Sequence, residues 1–208
     1  MNGSHPPVFV VFEGLDGSGK STCARLVADQ LDAVFMTTPS PSVRAYRDDL
    51  IASFAGNQEA AQLFYLATVF DASGRVGRYI DAGQSVVLDR YFLSTQAYAA
   101  FRGSSLRVDG IGDLLRPPDL TVFLDVPLEV RRERLAARGT TTADRETLTH
   151  EADARLLVEH RVRSQFESVG TYLEVDGTLA PEVIVARVLA VPGARPLRAR
   201  SWSQDSAT

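Results

Sequence analysis

One cysteine, Cys23, among 208 residues leaves no internal disulfide and no Cys-cluster zinc site. The three histidines, His5, His150 and His160, are too scattered in sequence for a local metal cluster. No apolar run reaches the roughly 18 residues that a membrane span requires. Met1 to Pro7 shows no charged segment leading into an apolar one, so no secretory leader is visible and a cytoplasmic protein is expected. A net charge of −4 offers no general basic surface for nucleic acid. The most informative scarcity is lysine: the chain has 21 arginines and a single lysine, Lys20. Arginine and lysine differ in shape and hydration, so a lone surviving lysine marks a position where arginine serves less well.

What remains is an ordinary globular composition, 45% apolar and 23% charged, enough for one domain with a real core. Short β-branched and aromatic runs at Val8–Phe12, Ala33–Met36, Ser85–Leu88, Leu120–Val126 and Tyr172–Val175 read as strands. Between them lie helical patterns. Ala24, Val27, Ala28 and Leu31 recur at helical spacing, and so do Val43, Tyr46, Leu50, Ile51 and Phe54. Leu63, Phe64, Ala67 and Phe70 form a further stripe, in a helix expected from about Asn57 to Asp81. Helices are also expected around Leu93–Phe101, Leu128–Arg138, Glu151–Val169 and Pro181–Ala190. Strands alternating with helices imply βαβ units, hence an α/β fold whose mostly parallel five-stranded sheet is covered on both faces. The domain is expected over residues 1–191, with the Pro-, Arg- and Ser-containing tail 192–208 disordered.

Gly14-Leu15-Asp16-Gly17-Ser18-Gly19-Lys20-Ser21 fits G-x-x-x-x-G-K-[ST], after a strand and before a helix. The glycines let successive N–H groups turn inward onto phosphate oxygens, and the helix start adds its positive end. Lys20 supplies a compact charge between the β- and γ-phosphates. The Ser21 hydroxyl suits Mg²⁺, a hard cation that keeps several waters. A nucleoside triphosphate and Mg²⁺ are therefore expected, with Gly14, Asp16, Gly17, Ser18, Gly19, Lys20, Ser21 and Thr22 along the cradle, while the loop alone leaves kinase, GTPase and motor ATPase all open.

Further segments carry a resemblance. Phe12 to Thr22 looks like the opening of thymidylate kinases. Asp89-Arg90-Tyr91-Phe92-Leu93-Ser94-Thr95-Gln96-Ala97-Tyr98 is similar to their D-R-[YH]-x-x-S-x-x-A-Y signature. Arg116 to Val126 resembles the strand before their lid, and Arg138-Gly139 with Asp144-Arg145-Glu146-Thr147 its arginine-rich tip. The resemblance spans about Val8 to Ala190. It implies a P-loop NTPase fold with a small lid near residues 134–149, a homodimer, and transfer of a phosphoryl group from ATP to a pyrimidine nucleoside monophosphate, foremost dTMP. Such a reaction joins two polyanions, so it needs positioning and positive charge more than covalent chemistry.

The resemblance also suggests roles. Asp89 would hold the Mg²⁺ shell with Ser21, or cap the next helix. Arg90 would grip the acceptor phosphate with its planar fork. Asp16 would meet the sugar 3′-hydroxyl, Tyr98 crowd the 2′ side, and Thr95 meet the pyrimidine edge. Arg145 is expected to stabilise the transferred charge, followed by Arg138 and Arg134, with Arg138 on the ATP side. Arg131 and Arg132 read as a solvated basic face paired with Glu129 and Glu133.

Two departures stand out. Thr38-Pro39-Ser40-Pro41 replaces the family's R-E-P-G-G, leaving Arg47, and Arg44 one turn earlier, for the acceptor side. Tyr65 is the expected stacking aromatic, with Phe64 its competitor. Four residues after Tyr65, where the family has an arginine that reads O4, stands Val69. The loop and the aromatic pair resemble the mitochondrial UMP/CMP kinase branch, so dCMP, dUMP, CMP and UMP stay open as acceptors. An ATP-binding regulator without turnover is a further alternative. So is a deoxynucleoside kinase using Glu13 as base.

Overall fold

The computed structural model describes residues 6–108, 110–141, 145–165 and 169–191. Five parallel strands form one sheet: β1 (Phe9–Gly14), β2 (Val34–Thr37), β3 (Val86–Asp89), β4 (Leu120–Asp125) and β5 (Thr171–Asp176), in the order β2-β3-β1-β4-β5. β1 lies in the middle, with Phe9 opposite Val86 of β3 and Val10 opposite Leu120 of β4. All six of its residues are buried, as a strand covered on both faces requires.

Alternation along β1 divides the core. Val8, Val10 and Phe12 face α1 (Lys20–Leu31) and the last helix, Pro181–Leu189. Phe9 and Val11 face α4 (Gln58–Asp81). Two short helices, α2 (Pro41–Arg44) and α3 (Arg47–Ser53), precede α4. The remaining helices are α5 (Phe92–Phe101), α6 (Leu128–Arg138), α7 (His150–Arg163) and α8 (Pro181–Leu189). Asn57 caps α4, its side chain accepting from the Ala60 N–H at 2.9 Å.

Three expectations need correcting. The core face of α4 is Leu66, Val69, Val76 and Ile80, while Leu63, Ala67 and Phe70 point outward. Both stripes have helical spacing, and the sheet takes the longer one. The stripe from Val43 to Phe54 is split between α2 and α3, neither of which buries a residue. The helix expected over Glu151–Val169 ends at Arg163, with Ser164 at its C-cap.

Strand order decides where a ligand sits. After β1 the chain leaves through α1 on one face, and after β3 it leaves through α5, whose Phe92 joins the opposite core. Neighbouring strands whose connections diverge open a crevice at their carboxyl ends. The glycine-rich loop follows β1 there, and Asp89-Arg90 follows β3.

Candidate active site

The loop between β1 and α1 curls because its glycines occupy backbone space closed to other residues. Gly14 has φ +142°, and a Cβ there would sit 2.8 Å from the Leu124 carbonyl. Gly17 has φ +83°, and a Cβ would meet the Arg131 carbonyl at 2.9 Å. The second contact shows that α6 lies directly against the loop. Arg134 donates to the Ser18 carbonyl at 3.2 Å and to the Gly177 carbonyl at 3.0 Å. Gly19 is the left-handed N-cap of α1, and Thr22 and Cys23 both donate to its carbonyl at 3.1 Å.

Lys20 is 5% exposed, and its Nζ donates to the Leu15 carbonyl at 2.7 Å. Burial and the nearby Arg90 push its ammonium down to about 8, against the upward pull of Asp16, Asp89 and Glu13. Ser21 Oγ donates to Asp89 Oδ2, while Asp89 Oδ1 is buried without a hydrogen-bond partner. A hydroxyl beside a carboxylate with an uncommitted buried oxygen is a hard-oxygen donor set that fits Mg²⁺. Among the described residues no group of three or more His, Cys, Asp or Glu side chains forms a metal cage, so phosphates and water would complete the shell. Asp89 does not cap α5.

That capping falls to Glu13, at the end of β1. Its carboxylate is fully buried and accepts from the Tyr91 N–H at 3.0 Å, the Ser94 N–H at 3.2 Å and the Ser94 hydroxyl. Burial raises its pKa, opposed by Ser94 and Arg90. Its lone pairs thus hold the turn from β3 into α5. The sequence flag for it is a carboxylate inside an otherwise apolar strand.

Arg90 follows β3 with φ +69°, unusual for a residue other than glycine, and its N–H donates to the Phe12 carbonyl at 2.9 Å. This backbone turn aims the guanidinium at Asp16. Arg90 Nη2 pairs with Asp16 Oδ1, and Nη1 donates to Ser94 Oγ at 3.3 Å. Tyr98, on α5, donates its hydroxyl to Asp16 Oδ2 at 2.8 Å. Its ring lies 5.3 Å from the Arg90 guanidinium and 5.7 Å from that of Arg102. Burial alone would raise the Asp16 carboxyl, but Arg90 and Lys20 hold it well below the usual carboxylate range. Burial and then the Asp16 charge keep the Tyr98 phenol protonated far above its ordinary range. Asp16, Arg90 and Tyr98 are thereby one constellation beside the glycine-rich loop.

The other expected residues are placed as follows. Thr95 is one residue along α5 from Ser94, and its hydroxyl donates to the Tyr91 carbonyl at 3.0 Å. Phe64 and Tyr65 are half-buried and meet edge to face, 5.2 Å between centroids. Val69 is fully buried in the core beneath α4. Arg47 is paired with its neighbour Asp48 at 2.7 Å. Arg44 donates to Thr37 Oγ1 at 3.1 Å and to the Pro39 carbonyl at 3.2 Å, fixing the loop after β2. Arg138 ends α6, and its charge helps hold the Asp16 carboxyl down. Arg145 is exposed, and its N–H donates to the Thr141 carbonyl at 3.3 Å. Asp144 and the 192–208 tail lie outside the described residues.

Arg131 and Arg132 depart from the expected solvated face. Arg131 is fully buried. It donates to the Val126 carbonyl at 3.3 Å and to the Asp16 carbonyl at 3.1 Å, and pairs with Asp153 of α7. Arg132 donates twice to the Leu148 carbonyl, at 2.9 and 2.5 Å. Arg131 and Arg132 thus tie α6 to the phosphate loop and to the segment before α7, not to Glu129 and Glu133.

A sequence model described as thymidylate kinase matches residues 12–187, a span that takes in the loop, the Asp89-Arg90 turn and α6. The chain belongs to the thymidylate kinase family. It is accordingly a nucleoside monophosphate kinase, a phosphotransferase. A thymidylate kinase of Thermomicrobium roseum is 35% identical over 204 residues, covering 88% of this chain and 92% of that one. One from Akkermansia muciniphila is 32% identical over 190 residues, covering 86% and 88%. A thymidylate kinase of Rhodopseudomonas palustris is 35% identical over 156 residues, covering 66% and 67%. Among the described residues, no helix is long and apolar enough to cross a membrane.

Proposed function

We propose that the site transfers the γ-phosphoryl group of ATP to dTMP, with each residue in the role its surroundings favour. The Asp16–Arg90–Tyr98 constellation, set one loop from Lys20, carries this reading. It offers a cation for an acceptor phosphate, a carboxylate for a sugar hydroxyl and a ring to limit the sugar, all next to a phosphate cradle. Lys20 and the loop N–H groups bind the ATP phosphates, with Gly14, Gly17, Ser18, Gly19 and Thr22 shaping the cradle. Ser21 and Asp89 would hold Mg²⁺, which when bound neutralises charge on the phosphates.

Arg90 draws the acceptor phosphate toward the loop and aligns it with the γ-phosphoryl group. Asp16 holds the sugar 3′-hydroxyl and keeps Arg90 charged and fixed. Tyr65, or Phe64 beside it, stacks on the base, and Thr95 meets its edge. Arg47 turns from Asp48 toward the acceptor. The segment 134–149 acts as a lid whose Arg145 and Arg138 stabilise charge and exclude water. The exposed apolar face of α4 supports a homodimer, and the protein works in the cytoplasm.

The test is ADP release from ATP and Mg²⁺ with one acceptor at a time: dTMP, dUMP, dCMP, CMP, UMP and thymidine. Preference for dTMP is expected. Preference for a cytosine or uracil nucleotide would reassign the base site, preference for thymidine would make the acceptor a nucleoside, and silence across the panel would sink the kinase reading.

A further inference from the structure

The mechanism above makes no use of His160, yet it is fully buried on α7, directly behind the acceptor constellation. Neither ring nitrogen has a hydrogen-bond partner. What the ring has instead is aromatic contact. It meets Tyr98 edge to face, 6.3 Å between centroids at 88°, and Phe123 of β4 at 5.2 Å. Phe123 in turn stacks on Tyr172 of β5 at 6.3 Å and 29°. Four rings thus run from the acceptor site into the rigid sheet.

Tyr98 needs such a backing. Two cations, Arg90 and Arg102, lie against its ring, and each is tied elsewhere, Arg90 to Asp16 and Arg102 to Glu146. Neither guanidinium is therefore dedicated to the ring. His160 has no such competing partner, and its ring packs against Phe123 of β4. Burial, with Arg90 and Lys20 nearby, pushes its pKa down to about 3, so the ring is a neutral, flat surface at working pH.

We propose that His160 is a positioning residue for acceptor-sugar selectivity: its ring braces Tyr98 in the place where the phenol excludes a ribose 2′-hydroxyl. This rests on the reading that Tyr98 crowds the 2′ side. An aromatic pair contributes about 0.5–1.5 kcal/mol beyond its buried area. Losing the brace should therefore narrow sugar preference about twofold to twelvefold, that energy converted at about 1.4 kcal/mol per factor of ten. It should do so without removing any group that touches substrate.

The experiment compares dissociation constants for dTMP and 5-methyluridine 5′-monophosphate by calorimetry, in wild type, His160→Ala, His160→Phe and Tyr98→Ala. His160→Ala is expected to narrow the preference for dTMP by that factor, while His160→Phe, which restores a flat ring, keeps the wild-type preference. If His160→Ala gives no folded protein by circular dichroism, His160→Leu replaces it with the same expectation. An unchanged preference in His160→Ala beside a narrowed one in Tyr98→Ala overturns the brace alone. So does equal narrowing in His160→Ala and His160→Phe. An unchanged preference in Tyr98→Ala overturns the reading of Tyr98, and the brace with it.

Discussion

At the scale of single residues, Arg90 carries the greatest share of the proposed acceptor side. Its guanidinium pairs with Asp16, reaches Ser94 and lies over Tyr98, on a backbone turn that few side chains adopt. Truncating one partner of a buried, hydrogen-bonded charge pair costs upwards of about 2 kcal/mol, equivalent to about 30-fold. Arg90→Ala is expected to raise KM for dTMP at least that much, with ATP affinity changing far less; steady-state kinetics with each substrate varied decides it. Arg90→Lys should recover little, since a point charge lacks the fork that spans Asp16 and a phosphate. His160 gives a second prediction at this scale. Its pKa of about 3 in the fold lies below the 6.5 of an ordinary imidazole, so the folded state binds fewer protons between those values. The stabilising effect is complete above about pH 6.5 and is lost as pH falls from there, at up to about 1.4 kcal/mol per pH unit. Urea unfolding between pH 4 and 7 should show wild type losing stability relative to His160→Phe as pH drops. Parallel curves would mean that the imidazole is not held neutral.

At the scale of elements, the decisive contact is α6 against the phosphate loop. Gly17 admits the helix, Arg131 reaches the Asp16 carbonyl and Arg134 the Ser18 carbonyl. Removing one member of a buried ion pair leaves the other charge uncompensated, at a cost of about 3–5 kcal/mol. Arg131→Ala should lose about that much in chemical denaturation, and ATP affinity should fall with it. The double variant Arg131→Met, Asp153→Leu should regain much of the stability but not the affinity, because the Asp16 carbonyl still lacks its donor. A full recovery of affinity would show that Arg131 serves packing only. This contact was hidden in the sequence, where Arg131 has the look of one more charge on a basic helix. The phosphate loop, the Asp89-Arg90 turn and the five strands were legible, because local spacing and composition encode them. Which of two apolar stripes on α4 meets the sheet was not, since Leu63–Phe70 and Leu66–Ile80 share one period. In the sequence Glu13 served only as the base of an alternative reading, and its capping role was hidden because its partners lie at the start of α5, some eighty residues away.

At the scale of the whole molecule, strand order places the glycine-rich loop with Lys20 and the Asp89-Arg90 turn at one end of the sheet. The opposite surface of α4 is left with Leu63 54% exposed and Phe70 38% exposed. These two stand seven residues apart, two turns of helix, and so share one outward face. If that face joins two copies, the variant Leu63→Glu, Phe70→Glu sediments as a monomer while wild type sediments at twice the monomer mass. A monomeric wild type would remove the dimer from the proposal.

The solitary lysine has a practical corollary for labelling chemistry. Apart from the α-amino group at the chain's start, Lys20 is the one primary amine available to acylating reagents, and it is 5% exposed inside the phosphate cradle. Intact-mass counting of slow acylation therefore reads a single side chain. In the proposed role of Lys20 a phosphate-bearing ligand in the cradle would cover that amine, so the second label would become a tally of nucleotide occupancy that needs no engineered probe. Conversely, amine-coupled immobilisation can attach the protein only through its start or at the cost of its triphosphate site.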